Sequence, residues 1–306
     1  MSVCFRGKQR YAMEENGLMS QKILLVAETG SDITQELARE LGIILIPMHV
    51  SMGDETLDDG TFPPEEVCAY YDRTGRVPTT SGSTIYDSES VYEKIFAENP
   101  DARLLHLAYS AVTTCSYHSS ELAIEGKPYA KNVRLVDTKH VSAGQCAVVT
   151  AVAEWLNAHP DATLDEAAAY AEAVGKRTQM CFVPQNLDYL RAGGRCSNAV
   201  ALVGNLLRLH PCIEIIDGRL VAGKKYRGAL DKLAGGLLRE FTEKHGLRKE
   251  RIYFINTPYM DERVRAALDA EAAALGYRKI IWVKTGCVIT CHGGPGAFGI
   301  VGIMEE

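Results

Sequence analysis

The segment TCHGGPGAFG, residues 290–299, sets one histidine beside four glycines and a proline, with apolar residues behind them. Glycine lets a backbone approach a ligand closely, so His292 sits in a setting suited to chemistry. Such a turn could cradle a phosphate, activate a nucleophile, ligate a metal or receive another anion. A phosphate nest wants a helix N-terminus behind it, but AFGIVGIM reads as a strand. The chain also lacks GxGxxG and GxxxxGK[ST]. Cys287 and Cys291 accompany His292 without a paired CxxC or a second His/Cys cluster, so they read as buried thiols on a strand and no metal is expected.

Two hydroxyl-rich stretches accompany this turn, TTSGST at 79–84 and YSAVTTCS at 109–116. Each alone reads most simply as helix caps. Ser110 follows a strand as a hydrolase serine does, but AVTTC has no glycine for a nucleophile elbow. In open parallel sheets ligands bind beyond the strand C-termini, where both stretches fall. Neutral hydroxyls with one histidine suit a carboxylate better than a phosphate, because they offer hydrogen bonds without a full countercharge. His49, His106, His118 and His140 lack comparable surroundings and read as core or surface residues.

The elements that must position these groups follow a βαβ rhythm in the first half. KILLVA (22–27), IILIPMHV (43–50), RLLHLAY (103–109) and NVRLVD (132–137) read as strands separated by helices. Residues 52–67 and 76–84 read as loops, with Pro63 and Pro64 opening a helix over 65–73. A boundary falls at AHPDAT, and TLDE (163–166) is a capping box. Beyond it come a strand at 179–184, a short helix at 186–195 and a hairpin at 212–228 turning on Asp217-Gly218. Alternating helices and strands then lead to the final strand, AFGIVGIM.

The composition is that of a soluble globular protein, 46% hydrophobic and 24% charged over 306 residues. A net charge of -6 argues against general nucleic-acid binding, and no apolar run reaches the length of a membrane span. Residues 1–21 are polar with no signal-peptide core, so a flexible tail and a cytoplasmic location are expected. Nine scattered cysteines then read as free thiols. Against the acidic whole, 191–232 holds eight Lys/Arg and three acids, either an ordinary solvated face or a docking face for an anionic partner.

Together these motifs resemble the DegV family of bacterial fatty-acid-binding proteins, over nearly the whole chain from Lys22 to Met304. AETGSDI, TSGST and YSAVTTCSYHSS are degenerate forms of its first three loops. VDTKHVSAG, NLDYLRAGGRCS, LVGNLLRLHPCIEIIDGRLVAGKKYRG and HGGPGAFG follow its later motifs closely. The resemblance implies an α/β fold of two domains, a parallel-sheet N-terminal one (22–160) and a C-terminal one (161–306), with a ligand tunnel between them. It implies that Thr80, Ser81 and Ser110 hold a fatty-acid carboxylate with His292 nearby, and that Thr113, Gly293 and Gly294 complete the head-group site. It further implies a non-enzymatic carrier without a cofactor, presenting the carboxylate to a separate ATP-dependent fatty-acid kinase whose acyl phosphate feeds phospholipid synthesis. Arg195, Lys224, Lys225 and Arg227 are the expected docking cations. The alternatives are a Ser110/His292 esterase and a lipid-sensing regulator.

Overall fold

The computed structural model describes residues 23–196 and 209–305. The expected tail at 1–21 and the LVGNLL stretch lie outside them. The first half runs β1 (Ile23–Glu28), α1 (Gln35–Leu41), β2 (Ile43–Ile46), β3 (His49–Met52), β4 (Glu55–Asp58), α2 (Glu65–Thr74), β5 (Thr79–Ser81), α3 (Ile85–Glu98), β6 (Arg103–Ala108), α4 (Ser116–Ile124) and β7 (Val133–Asp137). After the helix α5 (Ser142–Ala158) the second half runs α6 (Leu164–Arg177), β8 (Thr178–Val183), α7 (Leu187–Gly193), β9 (Leu209–Ile216), β10 (Arg219–Arg227), α8 (Leu230–His245), β11 (Ile252–Asn256), α9 (Glu262–Ala274), β12 (Ile280–Lys284), α10 (Cys287–Gly293) and β13 (Phe298–Ile303).

Among the described residues the strands form a parallel sheet ordered β2-β1-β6-β7, a six-stranded mixed sheet ordered β10-β9-β8-β13-β11-β12, and a small sheet β4-β3-β5. Strand order in the parallel sheet reverses between β1 and β6, so a crevice opens beyond their C-termini. The helix α5 joins the two large sheets. Its first three turns are wholly buried and rich in Ala, Gly and Cys, which lets it pack closely on β1 and β6 and equally on β8, β11 and β13. One apolar core therefore runs through both halves.

The local signals act as their chemistry demands. Thr163 and Glu166 close the capping box of α6. Asp217 and Gly218 both take positive φ, 47° and 80°, as a tight hairpin turn requires.

Three readings need correction. Residues 43–50 are two strands: β2 stops at Ile46, before Pro47, and β3 turns into the small antiparallel sheet. Proline brings no N–H to a ladder, so a strand ends readily there. Residues 55–58 and 79–81, read as loops, are the two partners of β3. Cys287 and Cys291 lie on the helix α10 and not on a strand. Gly286 precedes this helix, and two acids from the first half receive its first N–H groups.

His49 on β3 pins the small sheet. Its Nδ1 lies 2.9 Å from Asp58 on the facing strand, and its Nε2 lies 2.8 Å from Asp87, the capping acid of α3. Burial works to lower the imidazole's pKa, but the bonds and charge of Asp87, then Asp58, outweigh it and raise the pKa above 6.5. A raised folded-state pKa gives stability that is present below pH 6.5 and fades as pH rises through the folded value. His49→Gln should therefore cost about 1 kcal/mol at pH 6 and progressively less in alkaline buffer, measured by urea unfolding across pH.

Candidate functional site

The cleft beyond β1 and β6 is lined mostly by apolar side chains, with a cluster of polar ones among them. The strand β5 and the last turn of α10 meet at this cluster, where Thr80 Oγ1 and His292 Nε2 are 2.9 Å apart. Two buried carboxylates set the placement of α10. Asp32 Oδ1 accepts the Gly286 N–H at 2.7 Å, and Asp59 Oδ1 accepts those of Cys287 and Val288 at 2.8 and 3.2 Å. They satisfy donors that a helix start leaves unpaired. Burial raises the pKa of both acids, and the N–H bonds offset only part of that rise.

Close approach of backbone fixes the rest of the polar cluster. A Cβ on Gly193 would lie 2.2 Å from Nδ1 of His292, so α7 can touch the imidazole only because residue 193 has no side chain. A Cβ on Gly82 would lie 2.2 Å from Thr114 Oγ1 and 2.5 Å from Ser116 Oγ. That contact brings the two hydroxyl stretches together, and Ser116 Oγ accepts the Ser83 N–H at 2.9 Å. Beneath them Glu28, at the end of β1, accepts the Tyr109 N–H at 2.8 Å and holds the start of the second stretch.

His292 is half-buried, and desolvation, with a smaller contribution from the Arg195 charge, lowers its pKa to about 4. The imidazole is therefore neutral at pH 7 and can share one hydrogen bond through Nε2. Arg195 lines the same cleft, with its Nη1 donating to Gly193 O at 2.7 Å. A cation, two hydroxyls and a neutral imidazole in an otherwise mostly apolar cleft can hold a monoanion with an apolar body.

Of the residues singled out on sequence, Thr80, Ser81, Thr113, His292 and Gly293 line the cleft. Ser110 does not. Its hydroxyl donates to Gly218 O at 2.8 Å and ties the exit of β6 to the β9–β10 turn. Ser110 and His292 thus have different partners, an arrangement that lacks the serine–imidazole bond of an esterase. Gly294 also stands off the cleft, packed with φ of 71° against the Tyr189 ring. Arg195, grouped on sequence with the docking cations, belongs to the cleft wall. Lys224 is held by Glu240 at 2.7 Å, whereas Lys225 and Arg227 are exposed on β10. Sequence reasoning passed over Thr114 and Thr257, which also line the cleft. The TT pair at 113–114 was a signal for the first, and nothing local marked the second. Among the described residues no group of three His, Cys, Asp or Glu could hold a metal ion, and no helix is long and apolar enough to cross a membrane.

A parallel sheet and a mixed sheet sharing one buried helix, with a cleft opening beyond the strand ends, define a mixed α/β architecture. The family model described as "Uncharacterised protein, DegV family" matches residues 22–305, and the chain belongs to that family. A DegV domain-containing protein of Deinococcus radiodurans is 28% identical over 281 residues, 91% of this chain and 97% of its own. A fatty acid-binding protein of Thermotoga maritima is 28% identical over 294 residues, 93% of this chain and 99% of its own. A solved DegV family structure from Thermus thermophilus, described as fatty-acid binding, superposes with a TM-score of 0.82 at 28% identity, covering 92% of this chain and 99% of that one.

Proposed function

We propose that this protein binds a long-chain fatty acid, with the carboxylate at Thr80, Ser81, His292 and Arg195 and the acyl tail in the apolar trough. The observation that carries the reading is a compact polar cluster set in a mostly apolar cleft. Thr80, His292 and Arg195 are drawn together around Gly193, while Met180, Phe182, Leu220, Ile255 and Ile289 are among the apolar side chains that line the same cleft. The fatty-acid binding ascribed to the relatives from Thermotoga and Thermus supports it. In this reading Thr113 and Gly293 shape the head-group wall, while Ser110 and Gly294 act indirectly by fixing the loops that carry it. The two halves divide at residues 160–161, and the tail lies between them.

The energetics suit a carrier. Burying about 15 methylenes at about 0.8 kcal/mol each gives at most roughly 12 kcal/mol, and chain ordering with association entropy removes a large part. The tail therefore supplies affinity and the head-group site supplies orientation. A carboxylate taken out of water costs several kcal/mol unless it is paired, which is the task of Arg195 with the neutral donors. Arg195→Met should weaken palmitate about 10- to 100-fold and leave methyl palmitate within about twofold. Isothermal titration of both ligands checks it, and equal losses for acid and ester would sink the assignment.

The carrier reading extends to a partner. A cytoplasmic, ATP-dependent fatty-acid kinase would take the presented carboxylate and form the acyl phosphate used in phospholipid synthesis, with this chain contributing no cofactor. Lys225 and Arg227, exposed on β10 beside the Glu240-held Lys224, form its docking face. Reversing both to Glu should abolish coupled phosphorylation while sparing lipid binding.

A further inference from the structure

We propose that Met180 is the end stop of the acyl trough and sets the length of chain that the protein accepts; this rests on the fatty-acid reading above. Strand register carries the argument. In the mixed sheet Phe182, Gly299 and Ile255 form one row across β8, β13 and β11, and Met180, Val301 and Tyr253 form the next row on the same face. Phe182 and Ile255 line the cleft, and the Ile255 side chain lies across the side-chain-free Gly299 between them, so this row is the floor of the groove. A Cβ at residue 299 would lie 2.6 Å from Ile255 Cδ1. In the next row only Met180 lines the cleft, while Tyr253 and Val301 lie buried in the core that α5 shares with this sheet. The groove thus halts two residues further along β8, about 7 Å on at strand rise, against a single flexible side chain.

The stop is seated on α5. The Met180 sulfur rests on Gly144, where a Cβ would lie only 2.9 Å from it. Gly144 has an ordinary helical backbone, but a Cβ there would also lie 3.0 Å from Nδ1 of His140, whose ring is held by Gly175 O, so alanine costs some packing and the flexible thioether is the partner that yields, toward the cleft it lines. Methionine is unbranched and adapts readily to such a shift. The two positions therefore move the stop in opposite directions. Met180→Ala opens the groove toward Tyr253 and Val301, and Gly144→Ala pushes the thioether inward.

The test measures affinities for saturated fatty acids from ten to twenty carbons, by displacement of a fluorescent fatty acid from the full-length protein. Wild type should show an optimum length. Met180→Ala should move that optimum up by about two carbons, with a gain of about fourfold for each added methylene that is buried. Gly144→Ala should move it down, and Met180→Leu, which conserves volume, should leave it in place. The opposite shifts of two variants that melt as single cooperative transitions exclude a general loss of packing. An unchanged optimum in both overturns the end stop while leaving fatty-acid binding intact. A wild type that binds none of the series overturns the fatty-acid reading and the end stop with it.

Discussion

A methyl group on Gly193 should weaken fatty-acid binding about 10- to 100-fold and leave binding of the corresponding fatty alcohol nearly unchanged. Gly193 is the last residue of α7, and its added Cβ would lie 2.2 Å from Nδ1 and 3.0 Å from Cε1 of His292. The ring must swing away, and its Nε2 then leaves Thr80, now 2.9 Å distant. The head-group site loses one donor and the alignment of another, while the apolar trough is untouched. Alanine at a helix end brings no backbone penalty, so the stability cost is confined to the displaced ring and its lost bond to Thr80, about 1 kcal/mol. Titration of palmitate and hexadecanol against Gly193→Ala reads the difference. Equal affinity of wild type and variant for palmitate would remove His292 from the head-group site.

The second large effect concerns the helix that carries His292. Asp59→Ala should cost about 3–5 kcal/mol of folding stability, because it strips the acceptor from two N–H groups at the buried start of α10. Asp59→Asn keeps an acceptor there and removes a buried charge, so it should cost less than about 1 kcal/mol. The pH dependence separates the two effects. Burial raises the folded-state pKa of Asp59 above 3.8, so the folded state binds the extra proton first. Stability is then favoured below pH 3.8 and falls as pH rises through the folded value, where the carboxylate ionises without full solvation. Asn cannot ionise, so that fall should be shallower in Asp59→Asn. Urea unfolding of the three proteins between pH 4 and 8 measures both the offset and the slope.

Much of this architecture is written in local signals. The apolar runs of β1, β6 and β7 each feed polar loops, which is the pattern of a parallel sheet, and the Asp217-Gly218 turn specifies its hairpin almost alone. Thr80, Ser81, Thr113 and His292 stood out because hydroxyls and an imidazole beside glycines are chemically conspicuous, and the fold brings them to one cleft. What escaped notice depends on long-range contacts. The helix α10 is only seven residues long and too short to declare a period, and its start is stabilised by Asp32 and Asp59, more than two hundred residues earlier. The small sheet hid behind short, polar strands, although the Gly53-Asp54 pair between Met52 and Glu55 was a hairpin signal. Arg195 read as one of a run of surface cations. Its place in the cleft follows from how α7 packs on α10, a contact that Gly193 two residues away permits but that depends on a helix almost a hundred residues later.

The central claim is that the cleft holds a fatty acid, and native mass spectrometry of the purified full-length protein, followed by denaturing extraction, tests it most directly. The account predicts an adduct at one per chain that the extract identifies as a fatty acid, or stoichiometric uptake of added palmitate or oleate if the protein emerges empty. An empty protein that ignores both added acids would contradict it, and Arg195, Thr80 and His292 would then need another anionic ligand to explain their convergence.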